Sequence, residues 1–211
     1  AANFLGPDPF EPPFLCLVAS GGHTFLARVE ETDGFEVLGQ TLDDAAGEAF
    51  DKGARLLGLP YPGGPALERL ARDGDRGAFD LPLGHGVEGL NFSFAGLKTA
   101  LLYKLRDYHD DPPRADLAAA YQRAIVEQLA RRVERALEST GMERLAIGGG
   151  VAANGPLRER MEGLGVPLKV PPRELCTDNA AMIASAARFT RMLPFPQYLS
   201  LDAYATGERG L

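Results

Sequence analysis

Two apolar runs, Phe14-Leu15-Cys16-Leu17-Val18 and Phe25-Leu26-Ala27-Arg28-Val29, stand on either side of Ala19-Ser20-Gly21-Gly22-His23-Thr24. Short runs of this kind around a glycine pair read as a tight β-hairpin. Every later element has to be placed around this antiparallel pair and the loop at its tip. Gly21 and Gly22 leave no side chain over the turn, so their N–H groups are open to an anion, and Ser20 and Thr24 add hydroxyls beside them. A plain hairpin, with glycines that serve only the turn, accounts equally well for this stretch on its own.

Phe35 to Thr41 reads as a third strand after a turn at Thr32-Asp33-Gly34. Thr41-Leu42-Asp43-Asp44 offers polar caps for a helix that runs to about Leu57 and stops at Gly58. Asp44, Glu48 and Asp51 share one face of it, with Lys52 and Arg55 alongside. Such a face is ordinarily a solvated, ion-paired surface. Its functional alternative is a set of acceptors for ribose hydroxyls or a hydrated cation. Pro60 to Pro65 forms a second glycine turn before a short helix at Ala66 to Ala71. It is either a rigid loop or a place for polar ligand groups at a helix start. Residues 73–90, with His85, read as a surface loop, and Asn91 to Phe94 as a short extended run. A helix follows from Ala95 to about Tyr108, and the longest one spans about Ala115 to Ser139. The apolar stripe of the long helix drifts around its axis, which fits burial against more than one neighbour. Arg123, Arg131, Arg132 and Arg135 are expected on its solvated side, balanced by Glu127, Glu134 and Glu138.

The pattern then changes to strand and helix in alternation. Arg144 to Ile147 is a buried strand, Gly148-Gly149-Gly150 follows it, and a helix runs to about Gly163. Val166 to Val170 is the next strand, and a helix from Ala180 to about Met192 has Asp178 or Thr177 as its cap. This order is the nucleotide-holding half of a doubly wound α/β fold, where ligands sit at the carboxyl ends of the strands. Three glycines there let the backbone run flat against a base or ribose, with Asn154 placed to hydrogen-bond it. The stretch is neither Gly-x-Gly-x-x-Gly nor a Gly-x-x-x-x-Gly-Lys-Ser/Thr phosphate loop, which argues against a Rossmann dehydrogenase or a P-loop enzyme. The residues after Pro194 are expected to pack across the surface and then fray.

The chain has 211 residues, 45% hydrophobic and 24% charged, enough for one large domain or two small ones with a real core. Cys16 and Cys176 have no metal-type spacing and read as buried free thiols. The absence of a signal peptide and of a long apolar run points to a soluble, cytoplasmic protein with no membrane role. A net charge of −7 argues against broad nucleic-acid binding, while leaving room for a local basic patch. The start, with Gly6-Pro7-Asp8-Pro9-Phe10-Glu11-Pro12-Pro13, reads as an extended connector, so the chain looks like a piece of something longer.

A hairpin phosphate loop followed far downstream by a glycine-rich adenosine loop is the layout of an actin/hexokinase/Hsp70-like (ASKHA) ATPase lobe. The fold class expected is therefore α/β, a mixed sheet with helices on both faces and a helical insertion. Six motifs resemble one family in the right order. They are Ser20-Gly21-Gly22-His23-Thr24, Asp43 to Lys52, Tyr61 to Pro65, Asn91 to Thr99, Gly148 to Asn154, and Cys176 to Ala184. The family is TsaD, the catalytic subunit of tRNA threonylcarbamoyladenosine synthesis, formerly called O-sialoglycoprotein endopeptidase. The resemblance runs from about Phe14 to Arg188.

The resemblance implies transfer of a threonylcarbamoyl group from threonylcarbamoyl-AMP to N6 of the adenosine beside the anticodon of ANN-decoding tRNAs. It implies that Val18, Ala19, Ser20, Gly21 and Gly22 face the phosphate and carbamoyl region. Asp51, Gly64 and Glu68 would lie near the ribose, and Asn154 near the adenosine. Asp178 matches the family's carboxylate ligand for Fe2+ or Zn2+. The family's two histidine ligands form a His-x-x-x-His pair, which His23, His85 and His109 do not provide. On this resemblance residues 1–13 are the remnant of an inter-lobe linker. Residues 14–192 are the second lobe, with its insertion over about 43–140, and 193–211 are a C-terminal tail. The implied partners are tRNA, an inactive paralogue of the TsaB type and an ATPase of the TsaE type, and an exposed inter-lobe face could pair two copies. Asp178 alone would hold a metal poorly, so the chain by itself is expected to transfer little or nothing. The alternative is a non-catalytic nucleotide- or partner-binding lobe. A metalloprotease is disfavoured, because no His-Glu-x-x-His is present.

Overall fold

The computed structural model describes residues 2–5, 10–32, 34–108, 110–190 and 192–201. His109, Asp33, part of the proline-rich start and most of the tail lie outside them.

Phe14–Ala19 (β1) and Thr24–Glu31 (β2) form the expected hairpin, paired antiparallel from Phe14↔Val29 to Ala19↔Thr24. Gly34–Gln40 (β3) pairs with the far side of β2. On its other side β1 runs parallel to Leu145–Gly148 (β4), and β4 runs parallel to Leu168–Lys169 (β5). The sheet is mixed, in the order β3-β2-β1-β4-β5. The hairpin closes locally, but a parallel neighbour needs a crossover. Here the crossover is the insertion between β3 and β4. It carries Ala46–Leu56 (α1), Gly63–Ala71 (α2), Ala95–Arg106 (α3) and Arg114–Thr140 (α4). Gly155–Glu162 (α5) links β4 to β5, and Ala180–Ala187 (α6) follows β5. No helix among the described residues is long and apolar enough to cross a membrane.

Strand alternation divides β1 between two environments. Leu15, Leu17 and Ala19, with Leu26, belong to the main core under the insertion helices. Phe14, Cys16 and Val18, with Phe25 and Phe35, line an apolar groove on the opposite side. Phe4, Ala186 and Phe189 give that groove partial cover. Burial pushes the Cys16 thiol up to about 11. The thiolate is therefore scarce in the folded state at pH 8, and iodoacetamide should label Cys16 at least about 10-fold more slowly than the same chain in urea. Equal rates would contradict the placement. A pKa raised by folding also means that stability is intact below about pH 9 and falls as pH rises toward 11.

The long helix α4 is the spine of the core. Leu117, Tyr121, Ile125, Leu129 and Val133 are all fully buried along it. Tyr121 lies against Gly53 of α1, where a Cβ would collide with its ring, and its hydroxyl donates to Ala49 O at 2.9 Å. Gly141, in the left-handed region at φ 68°, ends the helix.

Several local expectations are corrected. α1 starts at Ala46, not near Thr41, because Thr24 Oγ1 at the end of the hairpin accepts the Ala46 N–H at 2.8 Å. Asp43 turns away and caps α3, accepting from Phe94 N at 2.7 Å and Ala95 N at 3.2 Å. Asp44 and Glu48 form an ion-paired surface with Lys52. The turn at Gly63-Gly64 is already the first turn of α2. A short 3-10 turn at Gly150–Ala153 separates the triple glycine from α5. α6 is capped by Asn179, which accepts from Met182 N at 2.9 Å, not by Thr177 or Asp178, and it ends at Ala187. Residues 192–201 are exposed throughout and do not pack down.

Arg132 is not on a solvated face. It is 7% exposed and ties down the 84–91 loop. Its Nε donates to Asn91 O at 2.8 Å, and its Nη2 donates to Gly84 O at 2.9 Å and Val87 O at 3.2 Å. Arg132→Met should cost about 2 kcal/mol in urea unfolding, because charged donors to carbonyls are the stronger hydrogen bonds. A loss below about 0.5 kcal/mol would return Arg132 to the surface class.

Candidate functional site

The hairpin loop is held from inside. Ser20 N donates to His23 O at 2.8 Å, and His23 N donates back to Ser20 Oγ at 3.0 Å. Gly47 N at the start of α1 donates to Ser20 O at 3.0 Å. A Cβ on Gly47 would lie 2.7 Å from Gly21 N, so α1 can approach this closely only with glycine there. Gly21 and Gly22 are exposed, and their N–H groups make no hydrogen bond among the described residues. Nothing lies within 4 Å of where their side chains would be. The loop is therefore rigid at its base and bare at its tip, the arrangement an anion requires.

Opposite stands the glycine loop after β4. Gly149 has φ 87°, and a Cβ there would strike the Ala19 carbonyl at the end of β1. The two loops thus touch at the carboxyl ends of two parallel strands, where α/β sheets place ligands. A pocket of about 410 Å³ lies between them, with α1 and α2 as its side. Gly21, Asp51, Gly64 and Asn154, from four separate motifs, line it together with Glu68.

Each lining group is oriented by a neighbour. Asp51 Oδ1 accepts from Gly63 N at 2.8 Å, so Asp51 fixes the start of α2. Glu68, 15% exposed at its side chain, accepts from Asn154 Nδ2 at 3.0 Å and from Gly155 N at 3.3 Å. Asn154 is buried and fully engaged. Its second amide proton goes to Gln122 Oε1 at 2.9 Å, and its Oδ1 caps α5 by accepting from Leu157 N at 3.0 Å. Its amide therefore orients Glu68, and a ligand would meet Glu68 where the sequence pointed to Asn154. Bare N–H groups at one end suit a phosphate, and carboxylates at the other suit hydroxyl donors.

Other expected residues fall elsewhere. Val18 faces the apolar groove on the opposite side of the sheet, and Ala19 is buried, with its backbone against the glycine loop. Ser20 serves the loop itself, and Gly22 lies beyond the lining with its amide bare. Asp178 is exposed and is not part of the pocket wall, whereas its neighbour Thr177 is. Among the described residues no group of three His, Cys, Asp or Glu could hold a metal. Tyr61, 85% exposed at the rim, belongs to a motif the sequence offered, whereas Arg173, in the lining, and Gln122, behind Asn154, were not expected at the site. Arg173 carried no usable signal, because it sits in an irregular stretch and meets the pocket only through the fold.

The sheet order, the bare hairpin loop and the facing glycine loop define a lobe of the ASKHA class. Structures of low sequence identity share this fold. Full-length HypF in a phosphate- and nucleotide-bound form has a TM-score of 0.67 at 11% identity, covering 88% of this chain and 34% of its own. The Clostridium difficile activator of 2-hydroxyisocaproyl-CoA dehydratase, with bound ADPNP, has a TM-score of 0.51 at 16% identity, covering 97% and 68%. Residues 1–185 match the family TsaD: tRNA N6-adenosine threonylcarbamoyltransferase, and the chain belongs to that family. Relatives of that name from Gloeobacter violaceus and Symbiobacterium thermophilum are each 52% identical, over 95% and 89% of this chain. The chain spans 62% and 57% of their respective lengths.

Proposed function

We propose that the chain supplies the second-lobe wall of the adenylate site of a tRNA N6-adenosine threonylcarbamoyltransferase. The observation that carries this is the convergence of Gly21, Asp51, Gly64, Glu68 and Asn154 on one pocket. In this reading the bare Gly21 and Gly22 amides take the phosphate and carbamoyl oxygens of threonylcarbamoyl-AMP. They stabilise negative charge as N6 of the tRNA adenosine bonds to the carbamoyl carbon, the bond from that carbon to the phosphate oxygen breaks, AMP leaves and the N6 proton passes to solvent. Asp51 and Glu68 accept from the ribose hydroxyls. Asn154 is a positioning residue that holds Glu68, and Gln122 holds Asn154.

The family's Fe2+ or Zn2+ would polarise the carbonyl when bound. The described residues do not fit such an ion by themselves: Asp178 is one exposed carboxylate, and a tight site needs about three protein ligands. Asp178 is proposed as one ligand of a site completed by residues outside this stretch. Residues 14–192 act as the lobe, with the 43–140 insertion supplying its core helix and the side of the pocket. The paralogue and ATPase partners and a cytoplasmic location belong to the same proposal, as does pairing of two copies. A one-sided site binds weakly, so the isolated chain should show little or no transfer to tRNA.

Calorimetric titration of AMP tests the reading. The chain should bind, and Asp51→Ala should weaken binding about 10-fold, the scale of one hydrogen bond to a charged group. Equal heats from both proteins would mean that Asp51 does not face the nucleotide.

A further inference from the structure

A second cleft, of about 600 Å³, opens between α2, α4 and α5 on the far side of Glu68. Glu68 and Arg173 line both it and the nucleotide pocket. Five arginines face it against three glutamates, on a chain of net charge −7. Arg160 is committed to Glu127 at 3.1 Å and to Glu134 at 2.6 Å. The rest are weakly held. Arg72 stands 3.7 Å from Glu68, and Arg123, 3.8 Å from Asp80, donates from Nη2 to Phe79 O at 3.2 Å while its Nε is buried without an acceptor. Arg76 and Arg173 have no carboxylate within ion-pair distance among the described residues. Glu159 likewise has no cation, and it is the only lining carboxylate so placed among the described residues.

The deep lining adds an independent observation. Gln122 is 7% exposed, its Oε1 is taken by Asn154, and its Nε2 makes no hydrogen bond among the described residues. A free amide donor lining the cleft, a buried Arg123 Nε without an acceptor and loosely paired guanidiniums together suit a ligand rich in acceptors. The arginines come from the end of α2, the loop after it, α4, α5 and the turn before α6. That spread suits successive phosphates on a strand better than one compact anion. An acidic chain needs such a local patch to hold a nucleic acid at all.

We infer that this cleft seats backbone phosphates of an RNA strand beside the nucleotide pocket. The choice of RNA rests on the tRNA reading above, whereas the cleft itself does not. The test is fluorescence anisotropy of a labelled RNA stem-loop with the full 211-residue chain across a salt series. The double variant Arg72→Ala/Arg76→Ala should lose about 10-fold in RNA affinity, and its log–log salt slope should fall by about 1.5. Arg72→Lys/Arg76→Lys, which keeps both charges, should retain the slope, and this separates charge from misfolding. AMP binding should be unchanged in both. Unchanged RNA affinity and slope in the alanine variant would overturn the inference, as would no RNA binding by the unaltered chain. Displacement of the RNA by millimolar inorganic phosphate would also overturn it and mark the cleft as a free-anion site. Loss of the AMP response in Asp51→Ala is read separately, so a failure of one reading is distinguishable from a failure of the other.

Discussion

Gly149→Ala is expected to lower the thermal midpoint by about 6–12 °C, the equivalent of roughly 3 kcal/mol for a chain of this size. Two penalties combine. At φ 87° the backbone lies where an L side chain is strained, at about 1–3 kcal/mol. The new methyl would also enter the space of the Ala19 carbonyl. That carbonyl belongs to the end of β1, which is paired on both sides, so it has little freedom to retreat. Gly148 and Gly150 are internal controls. A Cβ on Gly148 meets open space, and one on Gly150 meets only Thr177 Cγ2 at 4.0 Å. Alanine at either should leave the midpoint within a few degrees. At Gly150, which lines the pocket, it should still reduce nucleotide binding. Comparable melting of all three variants would mean that the two loops are not in contact.

Asn154→Ala is expected to cost about 2–4 kcal/mol and to weaken AMP binding. One side chain makes three hydrogen bonds, to Leu157 N, Glu68 and Gln122. Losing a helix cap costs about 1 kcal/mol. Leaving a buried acceptor on Gln122 and an unsupported carboxylate on Glu68 adds about 1–3 kcal/mol. Asn154→Asp separates these contributions. It keeps an acceptor for Leu157 N but loses both amide donors and sets a second carboxylate against Glu68. Urea unfolding should therefore show the cap retained and the network lost. Stability near that of the unaltered chain for Asn154→Ala would show that Gln122 and Glu68 find other partners. Intact AMP affinity in the same variant would show that Glu68 needs no support.

The framework of the fold is legible in the sequence because its signals are local. The apolar runs around Gly21-Gly22, the long stripe of α4 and the strand before the triple glycine each declare themselves within about ten residues. What the sequence conceals is which partner satisfies each polar group. Asp43 sits at the head of one helix and caps another 51 residues on. Thr24, at the end of a hairpin, caps α1 from 22 residues away. Arg132 has the spacing of a solvated face but meets three loop carbonyls that no periodicity foretells. For the site, each glycine motif is ambiguous alone, and only their order implied a shared pocket. The placement of Val18 on the wrong side for that pocket follows from strand alternation, since Val18 and Ala19 must face opposite ways. Asn154 was legible as a helix start, but its bonds to Glu68 and Gln122 span 86 and 32 residues.

The most direct measurement of the nucleotide site is an amide chemical-shift map of the isotopically labelled chain during AMP titration. Glycine amides resolve well, and the pocket is built around them. The expected result is saturating shifts at Gly21, Gly22, Gly64 and Gly150, with little change at Gly141 at the far end of α4. Shifts confined to the apolar groove around Phe25 and Phe35, or none at Gly21, Gly64 and Gly150, would contradict the assignment of this pocket to the nucleotide.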